Sequence, residues 1–143
     1  NIIPKCDDFS KNKYTKEEEK IIKETNKILN SKIKITATAV RVPTIGGHGE
    51  SVNIELKTTT TENKINTLLK SQEGVVVDVG ENYKTPVDVR GKNEIYVSRL
   101  REDRSVKNGF NMWIVADPLR KGAATNAIQI LNYVIFHYFL NIF

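Results

Sequence analysis

The stretch Arg41-Val42-Pro43-Thr44-Ile45-Gly46-Gly47-His48-Gly49-Glu50-Ser51-Val52-Asn53-Ile54-Glu55 organises this chain. One of two histidines sits in a turn with three glycines, and Arg41 lies seven positions before it. β-like segments flank the turn, Ile33 to Val42 and Ser51 to Thr58. Pro43 stiffens the entry, while the glycines admit positive φ and close approach. Loops held on strands are where functional residues concentrate. Arginine's planar fork grips a carboxylate or phosphate in two places. Histidine takes and returns protons near neutral pH. The pair fits a small anion held by Arg41 and worked on by His48. A plainer account comes first on this pairing alone: a histidine bonded to a backbone carbonyl in a tight turn, beside a solvated strand-end arginine.

Working outward, residues 1–14 read as irregular. Thr15 with Glu18 forms a capping box, predicting a helix to about Leu29 with Ile21, Thr25, Ile28 and Leu29 on one buried stripe. Glu17 and Lys20 lie three apart on it and share an exposed face, which by itself means only a surface ion pair. Ile33, Ile35, Ala37 and Ala39 alternate with Lys34, Thr36 and Thr38, the period of a strand. After the turn, Val52, Ile54 and Leu56 share one face of a second strand. Thr61 caps a helix from Glu62 to Ser71 with Ile65, Leu68 and Leu69 inward, and Gly74 opens a short strand, Val75 to Val77. Gly80 to Asn93 is the loosest segment and holds nothing that looks chemical. Ile95 to Leu100 and Phe110 to Ala116 read as strands joined by a polar hairpin turn. Asp117-Pro118 is a strong helix start. Gly122-Ala123-Ala124 predict close packing against that last helix. The order αββαβ, then ββα, implies an α+β domain: a mixed, largely antiparallel sheet with helices on one side.

The chain has 143 residues, 39% hydrophobic and 27% charged, enough for one domain with a real core. A net charge of +5 suits an anionic partner without choosing among phosphate metabolites, nucleic acid and acidic membranes. The single cysteine, Cys6, excludes an internal disulfide and points to a cytoplasmic location. No secretory leader pattern is seen. Residues 127–143 are apolar but interrupted by Gln129, Asn132, His137 and Asn141, and fall short of the roughly 20 apolar residues that span a bilayer. They predict a core or interface helix and no membrane partner, with His137 packed or exposed inside it. Two distant histidines without a cysteine cluster supply no metal site. Zinc-finger, helix-turn-helix and RNA-platform motifs are absent, so a basic, non-enzymatic binding module rests on charge alone. No phosphate-cradling glycine loop opens a helix, so a dinucleotide fold is not expected within this chain.

Several stretches in one order carry a resemblance: Asn1-Ile2-Ile3-Pro4; Tyr14 to Lys20 running into Glu24-Thr25-Asn26-Lys27-Ile28-Leu29; Arg41-Val42-Pro43 with Gly47-His48-Gly49-Glu50-Ser51-Val52-Asn53; Asn111 to Asp117; and Leu119-Arg120-Lys121-Gly122-Ala123-Ala124. Together they resemble the aspartate-semialdehyde dehydrogenase family, from residue 1 to about Tyr133. The resemblance implies the C-terminal part of a longer enzyme, similar to the C-terminal domain of glyceraldehyde-3-phosphate dehydrogenase. It implies a partial catalytic and dimerisation domain over residues 1–116. It also implies a helix over 117–143 that packs on an NADP-binding half. The expected reaction is NADPH-dependent conversion of aspartyl phosphate to aspartate semialdehyde, on the route to lysine, threonine and methionine, in a homodimer paired through the sheet. His48 would be the general base, Arg41 would clamp the substrate's α-carboxylate, Glu17 would meet the substrate and Lys20 would hold phosphate. The family nucleophile lies in an Asn-Cys-Ser/Thr pattern, and Cys6, in Pro4-Lys5-Cys6-Asp7-Asp8, lies outside it. The family's cofactor-contacting asparagine is replaced by Pro118, which has no side-chain amide and no N–H. That departure leaves two alternatives: an inactive paralog, or an acyl-phosphate reductase for a different acid.

Overall fold

A computed structural model describes residues 1–139, which divide into two compact units, one ending at Pro43 and the other beginning at Thr44. The first unit is built on α1 (Lys16–Ile28). Its N-terminus carries the full capping box. Glu18 N–H donates to Thr15 Oγ1 at 3.3 Å, and Thr15 N–H donates to Glu18 Oε2 at 2.7 Å. The remaining Glu18 oxygen accepts the Ala39 N–H at 2.9 Å, so one buried carboxylate both starts the helix and anchors the chain that returns along it.

That returning chain corrects the first strand prediction. Residues 33–40 form no β-ladder among the described residues, and only Arg41 pairs, antiparallel with Ile3. The period of two is real, because Ile35, Ala37 and Ala39 are half-buried while Lys34, Thr36 and Thr38 face out. Side chains replace the ladder. Asn26 bonds both backbone groups of Ile33, Tyr14 Oη meets Thr36 Oγ1 at 3.1 Å, and Glu18 holds Ala39. The expected α1 stripe is corrected as well: Ile21, Ile28 and Leu29 are exposed within the described residues.

The second unit is a four-stranded sheet in the order β1 (His48–Glu55), β4 (Gly109–Ala116), β3 (Ile95–Glu102), β2 (Val75–Val77). Only the β2–β3 pair is parallel. The expected mixed, largely antiparallel sheet is therefore present. β4 lies inside it and is the most buried strand, with Phe110 and Val115 almost fully enclosed. A bulge interrupts β3 between Ser98 and Arg101, where Arg99 takes φ +55 and one extra residue enters the strand.

α2 (Glu62–Lys70) is capped by Thr61 and packs beside β2 and β3 through buried Ile65; Leu68, expected inside, is exposed. A second cluster joins Val89, Tyr96 and Val115, with Trp113 against it. Val89 comes from the segment 80–93 that looked loosest, and it is completely buried. After β4 a π-helical turn, Arg120–Ala124, leads into α3 (Thr125–Val134) and a further π-helical turn, Ile135–Phe139. Most large apolar side chains of α3, Ile128, Ile130, Leu131 and Tyr133, are exposed, so no core of described residues covers them. Residues 140–143 of the predicted helix lie outside the described residues.

The capping box makes the first unit acid-sensitive. Backbone N–H donors, Thr15 first and then Ala39, hold the Glu18 carboxyl below its ordinary value of 4.5. A carboxyl lowered in the folded state stabilises above its unfolded value, and that contribution is lost as pH falls through the folded one. Glu18→Gln should lower the urea midpoint at pH 7, and the deficit should close in strongly acidic buffer. Thr15→Ala, which removes the other half of the box, should cost about 1 kcal/mol at neutral pH.

Candidate active site

The glycine turn and the end of β4 build the central feature of the second unit. β1 starts at His48, earlier than the sequence predicts, and His48 pairs with Ala116, the last residue of β4. Two of the three glycines are required by close contact. A Cβ on Gly47 would overlap the Ala116 carbonyl oxygen, and one on Gly49 would overlap the Trp113 indole. Gly46 meets the other demand, with φ +112 and the Pro86 carbonyl oxygen close by. The turn is thus held between the strand end and the 80–93 segment, and Gly47 N–H donates to Pro86 O at 3.4 Å.

His48 is exposed and opens onto a cleft. Glu50 stands two residues along the same strand face. Ala116, Asp117, Pro118, Lys121 and Gly122 form one wall, and Val75, Ile95, Val97 and Ile114 give it an apolar floor. Such a mixture, an apolar surface with a few polar groups, is the usual make-up of a small-molecule site. Pro118 lies here as well, its ring Cδ 3.4 Å from the place a Gly47 Cβ would take. The structure therefore brings His48 and Pro118 together.

Asp117 is buried and fully engaged. One carboxylate oxygen accepts from Leu119 N–H (2.7 Å) and Arg120 N–H (3.1 Å), the expected helix cap, and the other accepts from Gly91 N–H at 2.6 Å. These donors, Gly91 first, lower its carboxyl from the ordinary range. The bond to Gly91 was missed from sequence, as were Glu50 and Lys121 in the cleft. Lys121 Nζ donates to Gln129 Oε1 at 2.6 Å. Residue type alone gave no signal for these; only placement on the β1 face or the first helical turn did.

The other candidates belong to the first unit. Glu17 and Lys20 meet on α1, with Lys20 Nζ 3.5 Å from Glu17 Oε2, a partly exposed pair. Lys20 also lines a shallow surface with Lys11, Lys16 and Lys23. The Arg41 backbone is fixed against Ile3, while its side chain is exposed and makes no hydrogen bond or ion pair among the described residues. Cys6 is half-buried and has no disulfide partner. Among the described residues, no three His, Cys, Asp or Glu side chains group as a metal site, and no helix is long and apolar enough to cross a membrane.

This arrangement is that of a dehydrogenase dimerisation domain. The family model described as semialdehyde dehydrogenase, dimerisation domain, matches residues 1–121, and the chain belongs to that family. It is 42% identical over 139 residues to the aspartate-semialdehyde dehydrogenase of Aquifex aeolicus, covering 94% of this chain and 41% of that protein. Aspartate semialdehyde dehydrogenase II from Vibrio cholerae, solved in complex with ASA, superposes with a TM-score of 0.93 at 42% identity, covering 97% of this chain and 42% of that one. A Candida albicans aspartate semialdehyde dehydrogenase solved with NADP has a TM-score of 0.67 at 22% identity, covering 83% of this chain and 40% of that one, and shares the fold alone. The chain spans about two-fifths of the length of the relatives it matches.

The glycine contacts carry a direct test. Gly47→Ala should destabilise the protein by about 1–3 kcal/mol in denaturant titration, because the added methyl meets a backbone carbonyl that cannot rotate away.

Proposed function

We propose that this chain is the C-terminal part of an aspartate-semialdehyde dehydrogenase. The complete enzyme reduces L-aspartyl 4-phosphate to L-aspartate 4-semialdehyde with NADPH, in the biosynthesis of lysine, threonine and methionine. The observation that carries this reading is the match over residues 1–121, which spans Glu17, Lys20, Arg41 and His48 at the positions of the resemblance.

In this reading His48 takes the proton of a cysteine thiol that lies outside the chain. The thiolate attacks the acyl carbon of aspartyl phosphate, the carbon–oxygen bond to phosphate breaks, and phosphate leaves. NADPH supplies the hydride that reduces the resulting thioester, and the thiolate departs as the aldehyde forms. Arg41, with no side-chain partner among the described residues, holds the α-carboxylate through its two-pronged fork. Glu17 meets the substrate ammonium, and Lys20 holds the departing phosphate.

Asp117 and Pro118 offer NADP no free hydrogen-bonding side chain. Pro118 offers no donor, and both Asp117 oxygens are engaged by backbone N–H groups. Pro118 and the residues beside it would hold the nicotinamide by contact when NADP is bound. The exposed apolar face of α3 supports packing of residues 117–143 on an NADP-binding half. We place the enzyme in the cytoplasm as a homodimer joined through the sheet, a reading supported by the single cysteine and by the description of the matching family. Pro118 also favours a second reading, a paralog on the same scaffold that has lost the reaction or reduces a different acyl phosphate.

In the complete enzyme, His48→Ala should lower kcat by about 10²–10⁴-fold while the thermal midpoint stays near the parent's. Arg41→Lys should raise KM for aspartate semialdehyde far more than it lowers kcat, since a point charge does not replace the fork. Near-parental kinetics in both variants would remove these assignments. Pro118→Asn separates the two readings. A lower KM for NADP+ with aspartate semialdehyde turned over fits the first; no turnover of it in parent or variant fits the second.

A further inference from the structure

The segment Lys84–Gly91 is tied down at every stage by groups that contribute no apparent chemistry. Trp113 Nε1 donates to Lys84 O at 2.9 Å. The Asp88 carboxylate accepts from Thr85 N–H (2.7 Å) and Thr85 Oγ1 (2.6 Å), closing a tight turn around Pro86. Val89 is completely buried between Tyr96 and Val115. Gly91, at φ +73, donates its N–H to Asp117. The carbonyl of Pro86, held this way, faces the glycine turn: it accepts from Gly47 N–H and closes the space beside Gly46. His48 is the next residue.

We propose that Lys84–Gly91 is a brace that fixes the His48 backbone, and that Asp117 is the positioning residue that locks the brace from the end of β4. The inference rests on His48 being the general base. Three fixed points meet at the turn: Pro86 O on one side, the Ala116 carbonyl on the other, and the β1–β4 ladder beneath. Asp117 connects two of them, since it follows Ala116 directly and reaches across to Gly91. Asp117 acts through His48 and leaves the affinity for substrate to other groups.

The substitution Asp117→Asn isolates the brace. Its remaining oxygen can still cap the helix at Leu119 and Arg120, and asparagine is a good cap. Its amide then points an N–H at the Gly91 N–H, so that bond alone is lost. In the complete enzyme, Asp117→Asn should lower kcat about 10- to 100-fold, the scale of a small misplacement of a reacting group. KM for aspartate semialdehyde and for NADP+ should each stay within about twofold. In the His48→Ala background the same substitution should change kcat less than about twofold, because the group it positions is gone. An equal loss in both backgrounds, a loss carried by KM, or no loss at all overturns the brace while leaving the His48 assignment standing. Full turnover in His48→Ala alone overturns the assignment and the brace with it. Should Asp117→Asn not fold, Asp88→Asn, an exposed position that opens the Pro86 turn, is carried through the same cycle and judged by the same kcat pattern.

Discussion

The second unit depends on how one carboxylate is shared. Asp117 is enclosed, and a buried charge is tolerable only when hydrogen-bond donors replace the lost water. Three backbone N–H groups do so, two from the start of the C-terminal helical segment and one from Gly91. Meeting that requirement fixes three pieces of chain at once: the end of the central strand, the direction in which the helix leaves it, and the segment that carries Val89 into the core. The cleft, the glycine turn and the wall that holds Pro118 all lie around this point. The first unit uses the same device, with Glu18 starting α1 and holding Ala39.

Side-chain signals were legible and backbone ones were not. The capping box of α1, the Thr61 cap, the Asp117-Pro118 helix start, the hairpin and all four strands of the sheet follow from residue types that act through their own side chains. The strand expected at 33–42 shows where this stops. Alternation of Ile35, Ala37 and Ala39 reports correctly which faces turn inward, but it carries no information about a neighbouring strand. Asn26, Tyr14 and Glu18 hold the segment instead. The α1 stripe makes the same point for helices, since spacing defines a face and does not supply the surface that covers it.

The glycine turn around His48 was legible as a turn and illegible in its support. His48 and the glycines that serve it stand in one continuous stretch, so motif and geometry coincide. The segment 80–93 looked empty because it works through Lys84 O, Pro86 O and Gly91 N–H, atoms that every sequence possesses. Pro118 was singled out for the amide it lacks. Its position adds that the ring packs beside Gly47, so it belongs to the same small assembly as His48.

The contact between Gly49 and Trp113 reaches beyond packing. A side chain at 49 and the indole at 113 claim the same volume, so position 49 cannot enlarge while the indole stays. A larger residue at 49 requires a smaller one at 113, and a smaller one there forfeits the indole N–H that holds Lys84 O. A side chain at 49 therefore costs the anchor of the 80–93 segment as well. An insertion or replacement in the 80–93 segment inherits the same restriction, because its first anchor is the ring that fills the space over the glycine.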